Sequence, residues 1–151
     1  MAKSTKRSGY RPPLPGGADL EGKSATAPVL AMLKLRRIRA RRVNSGTFSG
    51  RGGYVKGAPA GTPDIAGELT EWVWGARRAF AFEIETKCPG GRLSEAQIKH
   101  RDAAEAAGVL WGTATSAQEG SALIDRWLAD IAAARIEFDG ELERAARRRD
   151  R

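Results

Sequence analysis

The sequence has little cysteine and histidine and no long apolar run. Its 151 residues include one Cys and one His, so neither an intramolecular disulfide nor a zinc site made of about four Cys and His ligands can form. No apolar stretch approaches the roughly 18 residues that a membrane span needs, and the first residues lack the apolar segment of a secretory signal. We therefore expect a cytoplasmic protein in which any catalytic metal is held mainly by oxygen.

Positive charge is in excess over negative charge. The chain has 26 Lys and Arg against 18 Asp and Glu, which gives a formal net charge of +8. A surface of this kind favours a polyanion as its partner. The hydrophobic content of 41%, with four Trp, is sufficient for one folded core. The densest basic group consists of Lys34, Arg36, Arg37, Arg39, Arg41 and Arg42.

Composition divides the chain into three parts. Residues 1–20 are rich in Pro, Gly, Lys and Arg and predict a flexible basic arm, because such a segment buries little apolar surface. Residues 21–133 are expected to form one folded domain. Residues 134–151 predict a basic tail that is either helical or disordered.

The order of predicted elements indicates an α/β fold, with a mixed central sheet, a β-hairpin and flanking helices. A Ser-x-x-Gln capping box at Ser94 and Gln97 marks one helix, and Gly108 is expected at its end. The predicted elements are a helix from Thr26, as N-cap, to about Leu35, a strand over 37–44, a hairpin with arms 64–74 and 79–87, a helix after Ser94, a strand over 109–114 and a helix after Ser116. The Gly-rich stretch 46–61 is expected to be a loop with one short extended piece.

The predicted hairpin carries a group of charged side chains. Alternation along its second arm puts Glu83, Glu85 and Lys87 on one face and apolar side chains on the other. A loop centred on residues 75–76 pairs positions whose numbers add to 151, which places Asp64 opposite Lys87. Residues directly opposite lie roughly 5 Å apart at Cβ, with diagonal neighbours within about 8 Å. The sequence therefore predicts that Asp64, Glu85 and Lys87 converge.

Two carboxylates and one ammonium group suit a hard divalent cation. Mg²⁺ is commonly held by one or two carboxylates, several waters and a substrate phosphate, and we expect Mn²⁺ to substitute for it. In this interpretation Asp64 and Glu85 bind the metal, while Lys87 orients or activates a water and adds positive charge at the phosphate. The alternative is a charged strand face that meets solvent, because Glu-x-Lys also occurs at 21–23, outside any predicted strand.

These motifs resemble the virus-type replication-repair nuclease (VRR-NUC) domain of the PD-(D/E)XK nuclease superfamily, over about residues 27–120. The similar residues are 42–46, then 61–65 (Gly-Thr-Pro-Asp-Ile), then 85–87 (Glu-Thr-Lys) followed by Pro89, 91–94 and Gln97. The resemblance implies a restriction-endonuclease-like core and a Mg²⁺-dependent endonuclease. It also implies hydrolysis of phosphodiester bonds in branched or structured DNA, as in Holliday-junction resolvases, by a homodimer of bacterial or phage origin.

The resemblance implies roles for four residues. Catalytic roles fall on Asp64, Glu85, Lys87 and Gln97, of which Asp64 and Glu85 are the metal ligands. Gln97 also has a local role as the capping-box partner of Ser94, and the two roles are compatible. The family places a Glu in its first helix, whereas Glu21 lies upstream of the corresponding segment here, so its role stays open. Glu83 is an additional acid on the same face.

The candidate nucleic-acid contacts are basic or polar residues beside the predicted site, because Lys and Arg make most phosphate contacts. They are Arg39, Arg41, Arg42, Asn44, Ser45, Lys56 and Arg92. His100 is expected at the surface, and Trp72 is expected to pack in the core or cover the hairpin rather than stack on bases. Two functions other than a nuclease stay open: a non-catalytic basic nucleic-acid-binding protein on the same fold, and an adaptor for an acidic protein.

Overall fold

The computed structural model describes residues 25–43, 47–50, 53–73 and 75–149. The predicted arm at 1–20 lies outside these residues. The elements are α1 (Thr26–Leu35), β1 (Arg39–Arg42), β2 (Thr47–Gly50), β3 (Gly53–Lys56), β4 (Ile65–Val73), β5 (Ala76–Thr86), α2 (Glu95–Ala106), β6 (Leu110–Ala114) and α3 (Ala117–Arg149). The helix α3 continues through most of the segment that the sequence analysis treats as a tail.

The central sheet is mixed, as predicted. Its strand order is β1-β4-β5-β6, in which β4 pairs antiparallel with β1 and β5 while β6 runs parallel to β5. The helix α2 supplies the crossover between the two parallel strands, which cannot be joined by a tight turn. In addition, β2 and β3 form a two-stranded antiparallel ribbon where the sequence predicted a loop with one extended piece.

One face of the sheet packs against α1 and α3 to form the core. The rings of Phe82 on β5 and Trp127 on α3 lie 5.7 Å apart, centroid to centroid. The largest fully buried side chains come from both strands of the hairpin and from both helices, so burial of apolar surface fixes the helices on this face. They are Phe82, Leu33, Ile65, Leu69, Ile84, Ile124, Val29, Val73 and Pro63.

The predicted helix boundaries are accurate, but one predicted cap is wrong. The first helix spans Thr26–Leu35, and Ala25 rather than Thr26 occupies its N-cap position, without a side-chain cap. The Ser94 capping box of α2 is formed in full. Gly108 follows α2 with φ of +79°, a conformation that glycine adopts without steric cost. The Glu119 N–H donates to Ser116 Oγ (3.1 Å), which caps α3 as expected.

The register of the β4–β5 hairpin differs from the predicted one by two residues. Val73 pairs with Ala76 and Ile65 pairs with Ile84, so paired positions add to 149 rather than 151. Gly67 then lies opposite Phe82, whose ring fills the space that a side chain at Gly67 would need. A shift of two residues leaves every side chain on its predicted face, because side chains alternate with a period of two. Asp64 therefore does not lie opposite Lys87, although it stays at the same end of the hairpin.

Candidate active site

The charged residues of the hairpin lie together at one end of the sheet. Asp64 immediately precedes β4, Glu85 is the penultimate residue of β5, and Lys87 follows β5. Lys87 Nζ lies 3.1 Å from Glu85 Oε1, and the Lys87 N–H donates to the Ala114 carbonyl oxygen (3.0 Å). The last residue of β6 thus fixes the backbone that carries the lysine.

Thr86 holds the carboxylate of Asp64, and Thr26 in turn contacts Thr86. Thr86 donates to Asp64 Oδ2 from its backbone N–H (3.0 Å) and from its hydroxyl (2.5 Å). Because Thr86 Oγ1 donates its proton there, it accepts the proton of Thr26 Oγ1, which lies 2.6 Å away at the start of α1. Asp64 Oδ1 accepts no hydrogen bond from the described part of the chain. The carboxylate is therefore oriented through one oxygen while the other is available to a ligand.

Gln97, in the first turn of α2, connects the two members of the Glu85–Lys87 pair. Its Nε2 donates to Glu85 Oε1 (2.5 Å), and its Oε1 accepts from Lys87 Nζ (2.8 Å). The same Oε1 accepts the Ser94 N–H (2.9 Å) as part of the capping box. One amide group in one conformation thus completes the capping box and contacts both Glu85 and Lys87.

Burial makes Glu85 costly to ionise. The residue is 5% exposed, and its pKa is raised above the ordinary value, first by desolvation and then by the nearby Asp64 carboxylate. Hydrogen bonds and charge from Lys87, with a hydrogen bond from Gln97, oppose this shift only in part. A cation beside the two carboxylates would favour the ionised form of both.

The two carboxylates fit a hard divalent cation whose coordination shell is completed by ligands from outside the protein. No group of three or more His, Cys, Asp or Glu side chains suited to a metal occurs within the described residues. Two carboxylates, one of them with an oxygen that accepts no hydrogen bond from the described residues, agree with the way Mg²⁺ is held when waters and a substrate phosphate supply the remaining ligands. The described residues therefore do not fit a metal whose ligands all come from the protein.

A second polar contact joins α2 to the same strand. His100 is half-buried rather than at the surface, and its Nε2 lies 2.7 Å from Glu83 Oε2. Gln97 and His100 are three residues apart and share one helix face, while Glu85 and Glu83 are two apart and share one strand face. This pairing was not predicted from the sequence, although the spacing of three on the helix and of two on the strand was its signal.

Two predicted nucleic-acid contacts lie on the sheet face that carries the site. Arg41 pairs in register with Ala66, which pairs with Glu83, so these positions form one row across the sheet. Arg39 and Arg41 line a groove of about 570 Å³ on this face. Arg39 Nη1 also donates to Glu68 Oε1 (2.9 Å). The groove therefore has arginines at its outer edge and reaches Glu83, two residues from Glu85.

The other predicted nucleic-acid contacts do not line this groove or lie outside the described residues. Arg42 is exposed at the end of β1, at a position that alternates away from Arg41, and Arg92 is exposed between β5 and α2. Asn44 and Ser45 lie outside the described residues, as does the side chain of Lys56 at the end of β3. Trp72 is 64% exposed on β4, so the prediction that it packs in the core or covers the hairpin is wrong.

Comparison with known proteins gives no relative. No family model matches the chain, and neither a curated protein nor a solved structure matches it. Among the described helices, none is long and apolar enough to cross a membrane. Membership of the VRR-NUC family consequently stays a prediction from the sequence motifs.

Proposed function

We propose that the protein is a divalent-metal-dependent endodeoxyribonuclease with a restriction-endonuclease-like fold, which hydrolyses phosphodiester bonds in branched or structured DNA. The observation that carries the proposal is the convergence of Asp64, Glu85 and Lys87 at one sheet end, with Gln97 bonded to two of them. The motif resemblance and the net charge of +8 support it. A homodimer would suit a two-fold symmetric junction.

Asp64 and Glu85 are the residues that would hold Mg²⁺ or Mn²⁺. When bound, the metal lowers the pKa of a water and stabilises the negative charge that gathers on the phosphate. Thr86 orients Asp64 through two hydrogen bonds, and Gln97 orients Glu85 through one. The ligands are thus positioned before substrate arrives, which keeps the reorganisation at the moment of reaction small.

Lys87 contributes positive charge beside the metal ligands. Its ammonium group has three N–H donors, of which two are directed at Glu85 and Gln97. The third N–H of Lys87 can donate to a water or to a phosphate oxygen. Because the side chain is only 19% exposed, its charge acts in a partly desolvated site, where such stabilisation is stronger than in water.

Cleavage of labelled DNA structures tests the proposal. Duplex, flap and four-way-junction substrates are incubated with Mg²⁺, Mn²⁺ or EDTA, and we expect products only with metal. Asp64→Ala and Lys87→Ala should abolish cleavage while circular dichroism and the melting transition show a folded protein. The exposed Lys99 on α2 gives the matched control, because Lys99→Ala removes the same charge outside the site.

Two outcomes would contradict this function. Cleavage by Lys87→Ala at the rate of the unmodified protein would mean that the strand is wrongly assigned. Salt-sensitive DNA binding with no cleavage in either metal would indicate a non-catalytic nucleic-acid-binding protein.

A further inference from the structure

The sheet face that carries the site continues past Glu83 as an exposed surface. Alternation along β4 and β5 places Thr70, Trp72, Arg77, Ala79 and Ala81 on this face, and all five are exposed. The helix α2 contacts the face at Glu83 and Glu85, and α3 reaches the outer end of the hairpin through Arg135, whose Nη1 donates to the Trp72 carbonyl oxygen (3.5 Å). We use the name open sheet face for the surface formed by Arg39, Arg41, Trp72, Arg77, Ala79 and Ala81.

The charge of the open sheet face suits phosphate groups. Arg41 and Arg77 make no ion pair or side-chain hydrogen bond with the described residues. Arg39 is paired with Glu68, but 86% of its side-chain surface is still exposed. Between the arginines the face carries the short side chains of Thr70, Ala79 and Ala81, together with Glu68, whose carboxylate is engaged by Arg39.

Trp72 adds an aromatic surface to this basic face. It is 64% exposed and lies directly opposite Arg77 in the hairpin register. Exposed aromatic rings beside cations are the platform on which single-stranded nucleic acids stack their bases, because every base has a π-face. In a duplex that π-face is covered by the neighbouring base pairs, so a ring on an open strand favours an unpaired segment.

We propose that the open sheet face binds an unpaired, single-stranded segment of the DNA substrate, with a base stacked on Trp72 and phosphates at Arg39, Arg41 and Arg77. The proposal rests on the proposed nuclease function for its biological role, and it names the form of substrate that the site accepts. Trp72 lies eight residues after Asp64 along β4, a distance of about 26 Å at the usual strand rise. The segment would therefore extend from the outer end of the hairpin towards the metal ligands.

Binding in EDTA tests the proposal apart from cleavage. Fluorescence anisotropy compares a labelled oligo(dT) of about 20 nucleotides, a length that spans the site sizes of single-strand binders, with a duplex of equal length. Trp72→Ala should weaken oligo(dT) binding about fivefold or more and change duplex binding much less, whereas Trp72→Tyr should retain most of the affinity. Arg77→Gln should weaken oligo(dT) binding more than Arg78→Gln, which removes the same charge from the next residue on the opposite face.

The outcomes separate the two proposals. Oligo(dT) binding that depends on Trp72, without cleavage in any metal, would support the proposal for the open sheet face and contradict the proposed nuclease function. Two results combined with metal-dependent cleavage would contradict the proposal for the open sheet face and support the nuclease function. One is unchanged oligo(dT) binding by Trp72→Ala, and the other is an equal loss of oligo(dT) affinity in Arg77→Gln and Arg78→Gln. A protein that does not bind oligo(dT) and is dimeric only while Trp72 is present would assign the open sheet face to a second copy, which also overturns the proposal.

Discussion

Glu85 is the residue at which stability and function oppose each other. Its carboxylate is buried beside a second carboxylate, and its pKa is raised because burial and Asp64 both disfavour the ionised form. For a carboxyl group with a raised folded-state pKa, stability falls as pH rises above the ordinary carboxyl pKa, so the burial of Glu85 destabilises the metal-free protein at neutral pH. Lys87 and Gln97 reduce this cost without removing it.

Replacing Glu85 by its neutral isostere should therefore stabilise the metal-free protein. We expect Glu85→Gln to raise the melting temperature in EDTA at neutral pH, since glutamine retains an oxygen for Lys87 and does not bring a charge into the buried site. The same change should abolish the upward shift that Mg²⁺ produces in the unmodified protein, because a metal ligand is lost. Thermal unfolding followed by circular dichroism, with and without Mg²⁺, measures both effects.

An exposed glutamate gives the control for this experiment. Glu105 lies near the end of α2 and is exposed, so Glu105→Gln should leave the response to Mg²⁺ intact. If Glu85→Gln melts below the unmodified protein in EDTA, the ion pair with Lys87 outweighs the cost of burial, and the electrostatic account of the site is wrong.

At the scale of elements, local signals in the sequence were more informative than the signals between elements. The capping box of Ser94 and Gln97 and the αL glycine at 108 depend on a few neighbouring residues, and both are present as predicted. The face on which each hairpin side chain lies follows from a period of two, so the predicted faces are correct although the predicted register is wrong by two residues. The register itself depends on which residues form the turn, and 74–75 and 75–76 both contain Gly75.

The placement of α2 on the sheet could not be predicted from hydrophobic pattern. The helix contains no fully buried residue, so the usual apolar stripe that indicates a buried face is absent. Its described contacts with β5 are polar and connect Gln97 to Glu85 and His100 to Glu83. Such contacts depend on three-dimensional approach between residues more than ten positions apart, which composition and periodicity do not encode.

Close contact between α2 and the segment before Asp64 gives a prediction at this scale. Gly61 has φ of +87°, and a Cβ there would overlap the backbone carbonyl group of Ala96 on α2. Gly75 has φ of +70°, and a Cβ there would meet nothing within 4 Å. Gly75→Ala should cost about 1 kcal/mol of folding free energy, the usual cost of a left-handed residue with a side chain, whereas Gly61→Ala should cost distinctly more.

Urea unfolding of the two glycine variants measures this difference. Because Gly61→Ala displaces the start of α2, where Gln97 is located, it should also lower the rate of metal-dependent cleavage, and Gly75→Ala should not. Equal unfolding free energies for the two variants would show that α2 yields to the added methyl group and that its position is not fixed by the close contact.

At the scale of the whole molecule, the fold separates the basic group of the sequence into two populations. Arg39 and Arg41 lie on the face that carries the candidate site. Lys34 lies on α1, which packs against the opposite face, and Arg36 is bonded to Asp125 (2.6 Å) and Ser121 on α3. Lys34 and Arg41 thus do not share one surface, which sequence alone could not show, although Arg36, Arg37 and Arg39 line a common groove.

The salt dependence of DNA binding distinguishes these two populations. Each phosphate neutralised by the protein adds about 0.7 to the slope of log affinity against log salt for single strands. Arg41→Gln and Arg77→Gln should therefore each reduce the slope for oligo(dT) by about that amount, whereas Lys34→Gln should leave it unchanged because α1 faces away from the DNA. Anisotropy titrations at several salt concentrations in EDTA give the slopes. An equal reduction by Lys34→Gln would mean that DNA contacts both faces of the sheet and that net charge, rather than the open sheet face, directs binding.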